Sequence, residues 1–161
     1  MTMLFRGQQG LLPLEKVVRA FQLFSAEIPD APVRLWIGTD SQIHGGTTRV
    51  VTSITAYREH KGGQSYQYVQ VLERALTLAE KLDVETHMSI EVIGKLRELL
   101  NQKLIYWELE LHIDGGNNGM SRLHLPRVVG WAESMASVYQ YAVRTKPDAI
   151  GASRVADRYA K

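Results

Sequence analysis

Strict alternation of apolar and polar residues is the feature that most constrains how this chain folds. In the segment KLIYWELELHID, apolar residues occupy every second position: Trp107, Leu109, Leu111 and Ile113. A period of two residues predicts a β-strand whose two faces meet different surroundings. Because an isolated strand cannot bury its apolar face, the rest of the chain must supply both a sheet and a layer that covers it.

Other segments of the chain also have strand character. Their sequences are VRLWIGTD, which ends near Gly38, RVVTSITAYRE, SYQYVQVLE and YQYAVRT. The second and third of these are joined by a short loop that contains Gly62 and Gly63. That loop predicts a hairpin, so we expect the first three strands to form an antiparallel meander.

Helical patterns occupy much of the remaining sequence. They are LEKVVRAFQLFSAEI after Pro13, the segment from about Val84 to Asn101, the segment from about Pro126 to Ser137, and the tail ASRVADRYAK. The stretch from Arg74 to Asp83 is compatible with either helix or loop. Helical crossovers between strands make the later strands parallel to the first.

Together these elements predict an α/β protein with a five-stranded mixed sheet, in which three antiparallel strands precede alternating helices and parallel strands. The length of 161 residues predicts a single domain, residues 1–161. Within it, residues 1–30 are interpreted as an N-terminal helical extension and residues 33–161 as the core.

Composition narrows the function classes. The chain has no cysteine, which excludes a disulfide scaffold, a thiolate zinc site and a cysteine nucleophile. No apolar stretch approaches the length of a membrane span and no signal peptide is visible, so we expect a soluble cytoplasmic protein. A net charge of +2 permits nucleic-acid binding without requiring it.

Two aspartates follow strand segments that the predicted sheet places side by side. Asp40 closes the first strand in IGTDSQ, and Asp114 closes the fourth in LHIDGG. If these strands are parallel neighbours, their ends lie about 5 Å apart. Two like charges about 4 Å apart repel by about 4 kcal/mol at an effective dielectric of about 20, so the pair favours a divalent cation such as magnesium or manganese. Glu85 and Asp157 lie on elements that can reach the same edge.

The strand-end residues also have ordinary structural explanations. Asp40 is compatible with a turn residue that bonds its own backbone, and Asp114 with a strand-to-turn signal before two glycines. His112 shares a strand face with Asp114, but a lone histidine beside a sheet is more often a satisfied polar group than a metal ligand.

The helical carboxylates have alternatives as well. Glu85 is compatible with a first-turn glutamate favoured by the helix dipole, and Glu91 competes with it further along the same helix. Asp157 can pair with basic residues of its own helix, and Asp148 is the alternative ligand there.

Several segments of the chain together resemble the YkuK-like family of ribonuclease H-like proteins. They are VRLWIGTDSQIH, VETHMSIEV, LELHIDGG and ASRVADRYAK. The predicted order of elements is also similar to the ribonuclease H fold. The resemblance extends from about Val33 to Lys161, and the GTDSQ and HID segments carry most of it.

The resemblance implies a metal-dependent nuclease site. In that superfamily, two magnesium ions are bound by an aspartate of the first strand, a glutamate of the first core helix, an aspartate that ends the fourth strand, and an acidic or amide residue of the last helix. At the matching positions of this chain stand Asp40, Glu85, Asp114 and Asp157. His112 or His44 is then available for proton transfer.

The function favoured by the sequence is therefore a magnesium- or manganese-dependent nuclease that acts on RNA, DNA or a hybrid by two-metal hydrolysis. Two alternatives stay open: a non-catalytic ribonuclease H-like module that binds nucleic acid or protein, and a small-molecule phosphodiesterase on the same metal site. Arg122, His124 and Arg127 follow the glycine- and asparagine-rich loop GGNNGMS as candidate phosphate contacts, although a solvated helix start is the simpler explanation. The three tryptophans, Trp36, Trp107 and Trp131, are predicted to lie in the core.

Overall fold

The computed structural model describes residues 2–114 and 119–145 of the chain. Its strands are β1 (Leu4–Gly7), β2 (Gly10–Pro13), β3 (Val33–His44), β4 (Thr47–Arg58), β5 (Gly63–Leu72), β6 (Glu108–Ile113) and β7 (Ala142–Thr145). Its helices are α1 (Leu14–Glu27), α2 (Leu78–Gln102) and α3 (Gly119–Tyr139). The predicted tail helix ASRVADRYAK lies outside the described residues.

Within the described residues, the sheet has seven strands rather than the predicted five, in the order β2-β1-β5-β4-β3-β6-β7. The additional strands are a hairpin before α1, where only a helix was predicted. Arg6 of β1 pairs with Gln67 of β5, so the hairpin extends one edge of the sheet. Gly7 permits this approach, because a Cβ there would collide with the Tyr66 ring. β1 and β2 have four residues each, and the sequence around them has no longer alternating run, which is why the pattern missed them.

The other predicted strand relationships are confirmed. β3, β4 and β5 form an antiparallel meander. β6 is parallel to β3 and β7 is parallel to β6, because α2 and α3 carry the chain back across the sheet between these strands. The α/β architecture with a mixed sheet is therefore as expected.

The core lies between the sheet and the helices. Leu35 and Ile37 of β3 are fully buried in one apolar cluster with Ile93 of α2. α3 packs closely on α2 because Gly94 has no side chain: a Cβ at this position would lie 3.0 Å from Cζ of Tyr139. The glycine that weakens the helical pattern in the sequence is thus a point of close helix packing.

Helix α2 begins at Leu78, well before the predicted start at Val84. The hydroxyl of Thr77 accepts a hydrogen bond from the Glu80 backbone N–H at 3.2 Å, and the Glu80 carboxylate accepts one from the Thr77 N–H at 3.0 Å. This capping box fixes the start of the helix. Because Glu80 is the acidic residue of the first turn, the explanation of Glu85 as a first-turn residue is wrong.

Helix α3 also starts earlier than predicted, at Gly119, and contains Pro126. Proline lacks an N–H and is favoured at helix starts, which is why the pattern placed the start there. Within the described ranges, no helix is both long enough and apolar enough to cross a lipid bilayer.

Candidate functional site

β3 and β6 bring Asp40 and Asp114 to the same level of the sheet. Their parallel register pairs Gly38 with His112, so Asp40 and Asp114 are the residues two positions further along each strand. Asp114 directly follows β6, as predicted. Asp40 does not close its strand, because β3 continues past it and Asp40 pairs with Val51 of β4. The turn explanation of Asp40 is therefore wrong.

Alternation along β3 sends Asp40 to a different face from its neighbours. The side chains of Thr39 and Ser41 make hydrogen bonds to residues of α2, whereas Asp40 is exposed. The charge of Asp40 still acts on Glu85 of α2 and raises its pKa. Asp40 is thus close enough to Glu85 to affect its pKa, although the Asp40 side chain does not lie on the face of β3 that contacts α2.

Glu85 extends from α2 towards β3. The Ser41 hydroxyl donates a hydrogen bond of 2.6 Å to Oε2 of Glu85. The pKa of Glu85 is raised to about 7, mainly by burial and also by the charge of Asp40, while the hydrogen bonds of Ser41 and the charge of Lys81 oppose the rise. Near neutral pH such a carboxyl is present in both its protonated and its charged form, and a bound cation would favour the charged form.

Glu85 and Asp114 line one small cleft between α2 and the end of β6. Thr39 and Ser89 add hydroxyl groups to its walls, and these two hydroxyls lie 2.7 Å apart. The Thr39 hydroxyl also lies 2.9 Å from that of Thr52. The cleft therefore presents carboxylate and hydroxyl oxygens, which suit a hard cation.

The chemistry of these side chains fits the predicted ions, because carboxylate oxygens are the ligands that magnesium and manganese prefer. The arrangement is incomplete, however. Within residues 2–114 and 119–145, no three histidine or acidic side chains form a group that could hold a metal ion. The predicted ligand Asp157 and its alternative Asp148 lie outside these residues. The structure thus brings Glu85 and Asp114 into one cleft and places Asp40 beside it.

Other candidate residues do not line the cleft. Glu91 pairs with His87 across one helical turn, at 3.6 Å. Arg127 of α3 forms an ion pair of 2.6 Å with Asp83 of α2, so its charge is already matched by a carboxylate. His44 is exposed at the far end of β3.

Trp36 lies outside the core, contrary to the prediction. Its ring stacks on Tyr57 with centroids 4.7 Å apart, and it lies 5.6 Å from the His112 ring. Trp36 and Tyr57 alternate with buried residues of their strands and therefore belong to the sheet face that α2 does not cover. Trp107 and Trp131 pack against the core, as expected.

His112 forms a hydrogen-bonded pair with Glu110. Its Nε2 lies 3.3 Å from Oε2 of Glu110, and this hydrogen bond is the main cause of a lowered pKa of Glu110. Arg144 of β7 lies 3.4 Å from the other oxygen of Glu110. Nδ1 of His112 is buried without a hydrogen-bond partner. The pairing with Glu110 favours the structural explanation of His112 over a role as metal ligand.

Ser41 is the residue of this site that the sequence analysis missed. A signal was present, because Ser41 continues the period of two set by Leu35, Ile37 and Thr39. A small polar residue on the buried face of a strand predicts a hydrogen bond to the element that packs against that face.

Comparison with known proteins assigns the chain to a family. The family model described as ribonuclease H-like matches residues 16–161. YkuK, an uncharacterised protein of Bacillus subtilis (strain 168), is 25% identical over 165 residues, which cover 95% of this chain and 94% of the relative. No solved structure matches the chain significantly. The resemblance found in the sequence is confirmed, and the chain belongs to the ribonuclease H-like family.

Proposed function

We propose that the chain is a metal-dependent nuclease of ribonuclease H-like type that hydrolyses phosphodiester bonds in RNA, DNA or an RNA–DNA hybrid. The observation that carries the proposal is the approach of Glu85 and Asp114 in one cleft, with Asp40 level with Asp114 on the neighbouring strand. Family membership supports the same reaction class by analogy.

In this proposal, Asp40, Glu85, Asp114 and Asp157 hold two magnesium or manganese ions. Such ions, when bound, lower the pKa of a water molecule and stabilise the leaving oxygen of the phosphodiester. The protein supplies a partly buried carboxylate with a second negative charge nearby, since burial and Asp40 both disfavour the charged form of Glu85. A cation relieves both effects, which favours its binding.

Nucleic acid as the partner is supported by the proposed metal site rather than by a basic patch. The net charge is only +2, and Arg127 is already paired with Asp83. We therefore expect weak, salt-sensitive binding without a dedicated basic arm. The proposal also includes a single domain over residues 1–161 and a cytoplasmic location. A chain without cysteine suits the reducing compartment of the cytoplasm.

A cleavage panel tests the proposed function. Labelled single-stranded RNA, duplex RNA, DNA and RNA–DNA hybrid are incubated with the full chain and either magnesium or manganese, with matched reactions in EDTA. We expect metal-dependent cleavage of at least one substrate. If no substrate is cleaved with either metal, the nuclease proposal is wrong.

A non-catalytic module is the second candidate, and one observation favours it: the part of the chain that the structure describes contains no complete metal-holding group. This candidate predicts binding to nucleic acid or protein that EDTA does not change, together with no cleavage. A small-molecule phosphodiesterase would be recognised in the same panel by turnover of bis(4-nitrophenyl) phosphate without turnover of the oligonucleotides.

A further inference from the structure

We infer that Ser41 is a positioning residue that orients the Glu85 carboxylate for metal binding, an inference that rests on the proposed function. The Ser41 hydroxyl donates to Oε2 of Glu85 at 2.6 Å, and Ser41 itself is only 3% exposed. A serine hydroxyl has a single hydrogen to donate. Because that hydrogen is committed to one carboxylate oxygen, the flexible side chain of Glu85 is held in one orientation towards the cleft.

A second hydroxyl contact holds the same strand and helix together. The hydroxyls of Thr39 and Ser89 lie 2.7 Å apart. Thr39 and Ser41 are two residues apart on β3, which is about 6.6 Å, while Glu85 and Ser89 are four residues apart on α2, which is about 6 Å. Because these two spacings are nearly equal, both hydrogen-bonding contacts form together when the strand and the helix run antiparallel.

The two contacts have different consequences for the cleft. Thr39 and Ser89 join the backbone elements, and the hydrogen bonds of Ser89 do not involve Glu85. Ser41 acts on the carboxylate itself. Ser65 of β5 is 7% exposed and Ser41 is 3% exposed, so the two serines match in type and burial. The Ser65 hydroxyl accepts a hydrogen bond from a side chain of β4 and does not line the cleft, so Ser65→Ala is a matched control for Ser41→Ala.

The test is titration calorimetry of the isolated protein with Mn²⁺ at pH 8, without nucleic acid. We expect Ser41→Ala to weaken Mn²⁺ binding about tenfold, the usual effect of removing a group that orients a metal ligand. Ser65→Ala should stay within about twofold of wild type, and Ser41→Thr, which retains the hydroxyl, should restore most of the affinity.

Each result decides the inference. If Ser41→Ala binds Mn²⁺ as tightly as wild type, or if Ser65→Ala loses as much affinity, the positioning role is wrong and the proposed function stands. If wild type does not bind Mn²⁺, both fail together. Thermal unfolding in EDTA checks that the variants are folded. If Ser41→Ala does not fold, Ser41→Cys replaces it: its thiol is nearly isosteric but donates weakly, so unchanged affinity in that variant also overturns the inference.

Discussion

Asp40 and Asp114 lie level with each other on parallel neighbouring strands, but only the strand of Asp114 ends at this point. β3 continues to His44 and remains paired with β4 throughout. The Asp40 side chain is exposed, and the backbone that carries it is fixed by a continuous antiparallel ladder. A change confined to this side chain should leave the fold intact.

Asp40→Asn should abolish cleavage without unfolding the protein. Loss of a residue that only orients a metal ligand costs about 10–100-fold, so loss of a ligand should reduce activity about a hundredfold or more. The free energy of unfolding should change by no more than about 0.5 kcal/mol, because the side chain is exposed. Asp30→Asn, also at an exposed position, is the control for activity. Cleavage by Asp40→Asn at the wild-type rate would remove Asp40 from the mechanism.

Magnesium or manganese should raise the melting temperature of the wild-type protein. A ligand at about a hundred times its Kd stabilises the folded state by about 2.7 kcal/mol, which is a shift of several degrees for a chain of this size. Asp114→Asn should lose most of this shift, because Asp114 lines the cleft. Differential scanning fluorimetry with and without each metal measures it. An equal shift in wild type and in Asp114→Asn would place the cation somewhere else.

Glu85→Gln should make the metal-free protein more stable at alkaline pH. The pKa of Glu85 is about 7 in the folded protein and about 4.3 in an unfolded chain, so the folded state retains a proton that the unfolded state has lost between these values. Wild-type stability therefore falls as pH rises through this window, whereas a neutral glutamine avoids the loss.

In EDTA at pH 8 we expect Glu85→Gln to be more stable than wild type by about 2 kcal/mol in urea unfolding, after allowance for solvent in the cleft. At pH 4 the two proteins should be equally stable. A difference that does not depend on pH would show that glutamine acts through packing rather than through charge.

Thr77→Ala should destabilise the protein by about 1 kcal/mol, the usual cost of removing a helix cap. The hydroxyl of Thr77 accepts a hydrogen bond from the Glu80 N–H, and alanine leaves that group without its partner. Thr77→Ser retains the cap and should stay within a few tenths of a kcal/mol of wild type. Urea unfolding of the three proteins measures the difference, and equal losses in both variants would contradict the capping role.

The fold was predictable where the sequence shows a long period. The alternation from Trp107 to Ile113 and the β-branched run before Gly62 identified their strands, and the crossover rule gave the parallel pairing of β3 with β6. The pattern missed β1 and β2, each four residues long, since their place in the sheet depends on a long-range contact between Gly7 and Tyr66.

The candidate site was predictable only in part. Sequence position indicated that Asp40 and Asp114 come together, because strand ends in a parallel pair share an edge. It did not indicate that β3 runs on past Asp40, which depends on pairing with β4. It also did not indicate that Ser41 faces Glu85, which depends on the packing of α2 against the sheet. Trp36 was misplaced for a different reason: an apolar ring within a buried strand can face either side of the sheet.

The order of the elements has a consequence for how the protein matures. Asp40 and Glu85 precede β6 in the chain, but Asp114 joins them only after α2 has crossed the sheet and β6 has docked beside β3. Closing this long loop is slow compared with forming the local β3–β4–β5 meander. A nascent chain that has not yet emerged past β6 therefore lacks the cleft that Glu85 and Asp114 line together.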